Sequence, residues 1–200
     1  MNMFWDRIAF IYDVFEKIYN NKVIRGTASI CAGLIDYSDS VLECACGTGL
    51  ITVAAAPRAA SYIATDFSEK MMAKARRKLR GCENVSFRFA DITALDFPSD
   101  SFDKVIAGNV IHLLDHPEVA LAELVRVTSP GGKVIVPTYI NKTKKSSSFL
   151  VKVFDKMGAN FNRSFDMESY KKFFDDLGYG DAEYLVAEGR MPCAVAVISV

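Results

Sequence analysis

Apolar positions recur along the chain with two periods, and the alternation between those periods predicts the order of its elements. In residues 4–23, Phe4, Trp5, Ile8, Ile11, Tyr12, Phe15, Ile18 and Tyr19 fall at helical spacing, which predicts an amphipathic helix lying across the rest as a lid. A second helix is expected to end near Asp36. The short apolar run Ser40–Cys44 reads as a strand leading into the turn Gly47-Thr48-Gly49, with a helix from about Leu50 behind it. Residues 62–65 form the next predicted strand, closed by Asp66, and Ser68 is placed to cap a helix over residues 69–79. Val85–Phe89 alternates as a strand running on to Asp91. Residues 104–107 and 133–136 are two more strands, with the helix Pro117–Val127 between them and Pro130-Gly131-Gly132 as the turn into the last.

Strands that alternate with helices are parallel neighbours, because parallel strands need a crossover, and the crossover helices bury the sheet on both faces. The last part of the chain departs from this pattern. A helix over residues 169–177 is stopped by Gly178, and residues 182–187 and Cys193–Ser199 follow, joined by a short turn that favours an antiparallel hairpin. The predicted fold class is therefore α/β: a doubly wound, mostly parallel sheet with an antiparallel C-terminal pair at one edge and an N-terminal helical lid.

Composition bounds this picture. With 50% hydrophobic residues, a chain of 200 residues is long enough for one substantial core, so residues 1–200 are read as one domain. Within it, residues 1–30 are the lid and 141–168 a segment on the acceptor side. Lys plus Arg balance Asp plus Glu at 24 each, so no global field recruits nucleic acid. No run approaches the ~20 apolar residues of a membrane span. Asp6, Arg7 and Asp13 interrupt the N-terminus too soon for a signal peptide, and a cytoplasmic location is expected. The five cysteines are odd in number and include no CxxC pair, which fits free thiols and no metal site.

In a doubly wound sheet the ligand crevice lies beyond the carboxyl ends of the strands, where strand order reverses. Gly47 and Gly49 let the backbone turn sharply there and approach a ligand, with the N–H groups of a helix start behind them. A glycine pair alone is a weak signal. It gains force from Asp66, which lies 17 positions after Gly49, close to the ~20-residue offset at which a carboxylate reaches ribose hydroxyls. Thr52 stands where a nicotinamide-dinucleotide fingerprint needs its third glycine, and no Walker lysine follows, so the turn is not built around a pyrophosphate or triphosphate.

Five segments in order carry a resemblance: residues 41–49, Asp66, residues 89–92, residues 102–105 and residues 126–132. Together they resemble the class I S-adenosylmethionine (SAM)-dependent methyltransferases, most closely the type-11, ubiquinone/menaquinone-methyltransferase-like branch that acts on small molecules. The resemblance implies a seven-stranded sheet with SAM as cofactor and S-adenosylhomocysteine (SAH) as product. It implies that Glu43 and the turn through Ala45, Cys46, Gly47 and Gly49 hold the methionine part, and that Asp66 binds the ribose. By the same resemblance Phe67 and Met71 flank the adenine, Asp91 accepts from its amino group and Ile92 packs on the ring. Backbone carbonyls of residues 108–110, Asn109 and Val110 among them, meet the methionyl amino group. Ala45 departs from the pattern, since the family usually has glycine there.

A sulfonium is already activated, so the protein needs chiefly to align an acceptor and exclude water. His112, just past the fourth strand, is the candidate base, and a bland role as a hydrogen-bonded histidine is equally open. Tyr12 on the lid either orients the acceptor or packs in the core. The acceptor expected is a small, partly apolar molecule, from the aromatic lid and from Phe149, Phe154, Phe161 and Phe165. Two rivals stay open: a catalytically silent SAM- or partner-binding protein, and a nicotinamide-dependent oxidoreductase.

Overall fold

A computed structural model describes residues 20–141 and 163–200 of the chain. Most of the lid helix, with Tyr12, lies outside the described residues, as do Phe149, Phe154 and Phe161 of the acceptor-side segment.

The described chain begins with helix α1 (Asn21–Gly33), followed by strand β1 (Ser40–Cys44). Behind the turn comes α2 (Thr52–Ala55), then a 3-10 turn over Ala56–Arg58. The helix expected from Leu50 is thus a single α turn, because Pro57 has no N–H to extend it. Next are β2 (Ser61–Asp66), α3 (Glu69–Lys78), β3 (Val85–Phe89) and β4 (Phe102–Ala107). The Ser68 hydroxyl accepts from the Met71 N–H at 3.2 Å, so the expected N-cap of α3 is formed.

A 3-10 turn, Ile111–Leu113, precedes α4 (Pro117–Val127) and β5 (Thr128–Asn141). β5 is longer than its apolar heart at residues 133–136, because Pro130-Gly131-Gly132 lies inside the strand as an irregularity, where the pairing with β4 shifts between Phe102 and Lys104. A Cβ on Gly132 would stand 2.7 Å from the Asp103 carbonyl oxygen, so only glycine fits this close approach. The chain closes with the two-residue β6 (Phe165–Asp166), α5 (Met167–Asp176), β7 (Glu183–Ala187) and β8 (Cys193–Ser199).

The strands form one sheet in the order β3-β2-β1-β4-β5-β8-β7, with β6 beside the far end of β5. Pairs among β1 to β5 are parallel, and β8 runs antiparallel to both β5 and β7. The antiparallel hairpin therefore sits at one edge as expected, with β8 inserted and β7 outermost. Successive strand residues face opposite sides: Leu42, Val105, Val134 and Ala196 pack with Leu121 and Leu124 of α4 and Phe174 of α5, whereas Val41, Ile106, Ile135 and Val197 pack with Cys31 of α1, Ala55 of α2 and Met72 of α3. Each face carries its own cluster of buried apolar side chains, and together they make a doubly wound core. Strand order reverses between β1 and β4, whose ends Cys44 and Ala107 are paired. The sequence-based crevice belongs at that point.

Candidate functional site

The turn after β1 is tied to its neighbours by backbone bonds. The Cys46 N–H donates to the Thr65 carbonyl at 2.9 Å, and the Gly108 N–H donates to the Cys44 carbonyl at 3.0 Å. Ala45, Gly47 and Gly49 all have positive φ, at 56°, 54° and 81°. Nothing stands within 4 Å of a Cβ built on Gly47, so this glycine faces open space. Gly49 does a different job. A Cβ there would approach that of Ala75 to 2.9 Å, so Gly49 lets α3 pack against the turn, and it lines neither hollow described below.

Asp66 closes β2 opposite this turn. Its Oδ2 accepts from the Gly47 N–H at 2.7 Å and its Oδ1 from the Ser68 N–H at 2.8 Å. The carboxylate is thereby fixed in the wall of a cleft of about 930 Å³, open solvent at its mouth included. The expected residues Ala45, Gly47, Asp66, Phe67, Met71, Asp91, Ile92, Asn109 and Val110 all line this cleft. Phe67 stacks on Phe89 with centroids 4.9 Å apart, and Asp91 is held in its loop by the Thr93 N–H and hydroxyl at 2.9 and 2.7 Å. Thr65, Ala90, Leu113 and Leu114 complete the wall without having been singled out beforehand. They are ordinary apolar or hydroxyl residues, and only the topology brings them here.

Glu43 and Cys46 line an adjoining hollow of about 470 Å³, which shares Ala45, Gly47, Gly108 and Asn109 with the cleft. Glu43 is buried, and its Oε2 accepts from the Thr52 hydroxyl at 2.6 Å and the Tyr62 hydroxyl at 2.8 Å. Burial pushes its carboxyl up to about 7, against the two hydrogen bonds that favour the ionised form. Burial likewise lifts the Cys46 thiol well above its ordinary value, which leaves it an unreactive SH. Thr52, where a dinucleotide turn needs glycine, is buried and committed to Glu43. Among the described residues no group of His, Cys, Asp and Glu could hold a metal ion.

His112, for which a base and a bland role were both open, lacks the setting of a base. It is 7% exposed in the 3-10 turn and lines neither hollow, and burial lowers its pKa to about 4. A neutral imidazole so reluctant to take a proton is a poor base at neutral pH. Asp103, by contrast, is structural, accepting from the Ser40 N–H and hydroxyl at 2.8 and 2.7 Å to hold the start of β1.

Comparison with known proteins agrees with this geometry. The family described as "Methyltransferase domain" matches residues 42–136. A demethylmenaquinone methyltransferase of Renibacterium salmoninarum is 36% identical over 141 residues, 70% of this chain and 58% of the relative. A phosphatidylethanolamine N-methyltransferase of Cereibacter sphaeroides is 36% identical over 138 residues, 67% of this chain and 66% of the relative. The chain thus spans less than two thirds of either relative's length. A SAM-dependent methyltransferase structure from Thermotoga maritima superposes with a TM-score of 0.71 over 98% of both chains at 20% identity. With its strand order, its fixed acid at the end of β2 and its matching family, the chain carries a class I SAM-dependent methyltransferase domain of the type-11 branch.

Proposed function

We propose that the chain binds SAM across the carboxyl ends of β1, β2 and β4 and transfers its methyl group to a small acceptor with a substantial apolar part. The observation that carries this reading is the Asp66 carboxylate, clamped by the Gly47 and Ser68 N–H groups in the wall of the cleft. A carboxylate accepts about four hydrogen bonds, so the same group can also grip the two ribose hydroxyls.

In this reading Glu43 and the turn from Ala45 to Cys46 and Gly47 hold the methionine end, with Gly49 shaping the turn from behind. Phe67 and Met71 flank the adenine, Asp91 accepts from its amino group, and Ile92 packs on the ring. Asn109 and Val110 offer backbone carbonyls to the amino group. Bound SAM supplies a methyl group already activated on a sulfonium. The protein's share is then to align the acceptor and keep water out, and no step is assigned to His112 or Tyr12. An apolar part in the acceptor is supported by Leu113 and Leu114, apolar residues of the cleft wall that the SAM contacts above do not use. The names of the two relatives, which specify a quinone and a phospholipid amine, point the same way. No helix among the described residues is long and apolar enough to cross a membrane. The cytoplasmic location expected from the sequence belongs to this reading too.

Calorimetry with SAM and SAH, followed by transfer of labelled methyl from SAM to a panel of demethylated quinones, ethanolamine lipids and charged small molecules, tests it. Binding of both ligands and label in an apolar acceptor is the expected result. Asp66→Ala should weaken SAH by roughly a hundredfold, since hydrogen bonds to a charged group contribute about 1.5–3 kcal/mol each. Unchanged affinity would remove the ribose assignment. SAM binding without transfer to any acceptor would favour a silent binding protein.

A further inference from the structure

The smaller hollow has the chemistry of a site for the charged end of an amino acid. It lies beside the turn and shares Ala45, Gly47, Gly108 and Asn109 with the cleft, so the two hollows adjoin at the backbone of the turn and the end of β4. Its acid is Glu43, which suits an ammonium group. Among the described residues no Lys, Arg or His lines it, so the donors that these residues offer a carboxylate are neutral.

Thr27 of α1 lines the same hollow. It is 3% exposed, and its hydroxyl has no hydrogen-bond partner among the described residues. A threonine inside a helix commonly satisfies itself on a carbonyl in the preceding turn, and buried hydroxyls as a class are nearly always bonded. Two other polar side chains of the hollow are already held by neighbours, since the Thr48 hydroxyl accepts from Lys78 Nζ at 3.1 Å and Asn109 Oδ1 accepts from the Cys193 thiol at 3.7 Å. Threonine in a helix uses two χ1 wells, so its hydroxyl has two directions open to it.

The geometry points to Thr27 as the donor to the α-carboxylate of SAM and SAH, with Glu43 facing the ammonium. Helix α1 thereby becomes part of the cofactor site, a role the glycine turn and its acidic partners do not disclose. The inference rests on the SAM reading and deepens it by naming the residue that recognises one functional group.

The test is calorimetry of wild type, Thr27→Val and Thr27→Ser with two ligands: SAH, and 5′-methylthioadenosine, which has the same nucleoside but no amino-acid end. Valine keeps the shape and β-branching of threonine and removes only the donor. Thr27→Val should bind SAH about ten- to a hundredfold more weakly while holding methylthioadenosine within about twofold, and Thr27→Ser should keep SAH affinity. Its thermal midpoint should be no lower than that of wild type, because an unsatisfied buried hydroxyl has been removed. Should Thr27→Val not fold, Thr27→Ala makes the same two-ligand comparison. Equal SAH affinity in Thr27→Val and wild type overturns the assignment, as does an equal loss for both ligands, which would mark a structural role. Wild type that binds neither ligand overturns the SAM reading itself.

Discussion

Ala45 holds a left-handed backbone, φ 56°, with a side chain that disfavours it. The left-handed well costs a Cβ-bearing residue roughly 1–2 kcal/mol, and the turn's bonds to Thr65 and its contact with β4 hold it there. Close packing leaves little slack, since a Cβ on Gly108 would lie 3.1 Å from the Ala45 carbonyl oxygen. Ala45→Gly should therefore raise the thermal midpoint by about 2–4 °C, a net gain near 1 kcal/mol once the greater freedom of glycine in the unfolded chain is counted. A scanning calorimeter would show it, and a lower midpoint would mean that the methyl group packs productively. The departure from glycine was visible in the sequence, but not its consequence, which depends on a dihedral angle. The same limit applied to His112: its position after the fourth strand was legible, whereas its burial in a 3-10 turn outside both hollows was not. Thr27 carried no local signal at all, because its importance comes from a hollow lined by residues as far along the chain as Tyr139.

Between elements, Glu43 is the tie that joins the end of β1 to Thr52 of α2 and Tyr62 of β2. Its carboxyl titrates near 7 in the fold instead of at 4.5, because burial penalises the charge. The folded state thus holds its proton more tightly than the unfolded state. The contribution of this group is fully present below pH 4.5 and is lost as pH rises through 7, amounting to roughly 3 kcal/mol. Glutamine in its place keeps an acceptor for both hydroxyls and has nothing to titrate. Urea titrations of wild type and Glu43→Gln should accordingly diverge between pH 4.5 and 8, with wild type losing ground as pH rises. Parallel curves would place the carboxyl at an ordinary pKa. Elements of this kind were readable where one local rule sufficed: β1, α4 and β8 begin and end where the apolar runs and their turn residues place them, and β3 begins as placed but stops at Phe89, short of Asp91. Pro57 shortened α2, and the close approach of Gly132 to Asp103 drew a glycine pair into β5, both by contacts or backbone limits that a periodicity does not register.

At the scale of the whole molecule, the reversal of strand order concentrates the ligand's consequences at one end of the sheet. The cleft lies over β2, β1 and β4, while β7 is the outermost strand, three places from β4. A ligand that binds only the folded state stabilises it by RT ln(1 + [L]/Kd), about 2.7 kcal/mol at a hundredfold excess over Kd. Amides that exchange only by global unfolding, those in the buried centres of β1 and β4, should slow by that common factor. Amides that exchange through local openings respond only where the ligand bridges the opening. Hydrogen exchange with saturating SAH should therefore add protection in residues 45–49, 66–71, 90–94 and 108–114, up to that same increment, even where these amides exchange through local openings. Exchange in Glu183–Ala187 at the far edge should stay at its ligand-free rate wherever that strand opens on its own. New protection on β7 without any at the turn and at Asp66 would place the ligand elsewhere, and the cleft at the carboxyl ends would lose its claim as the cofactor site.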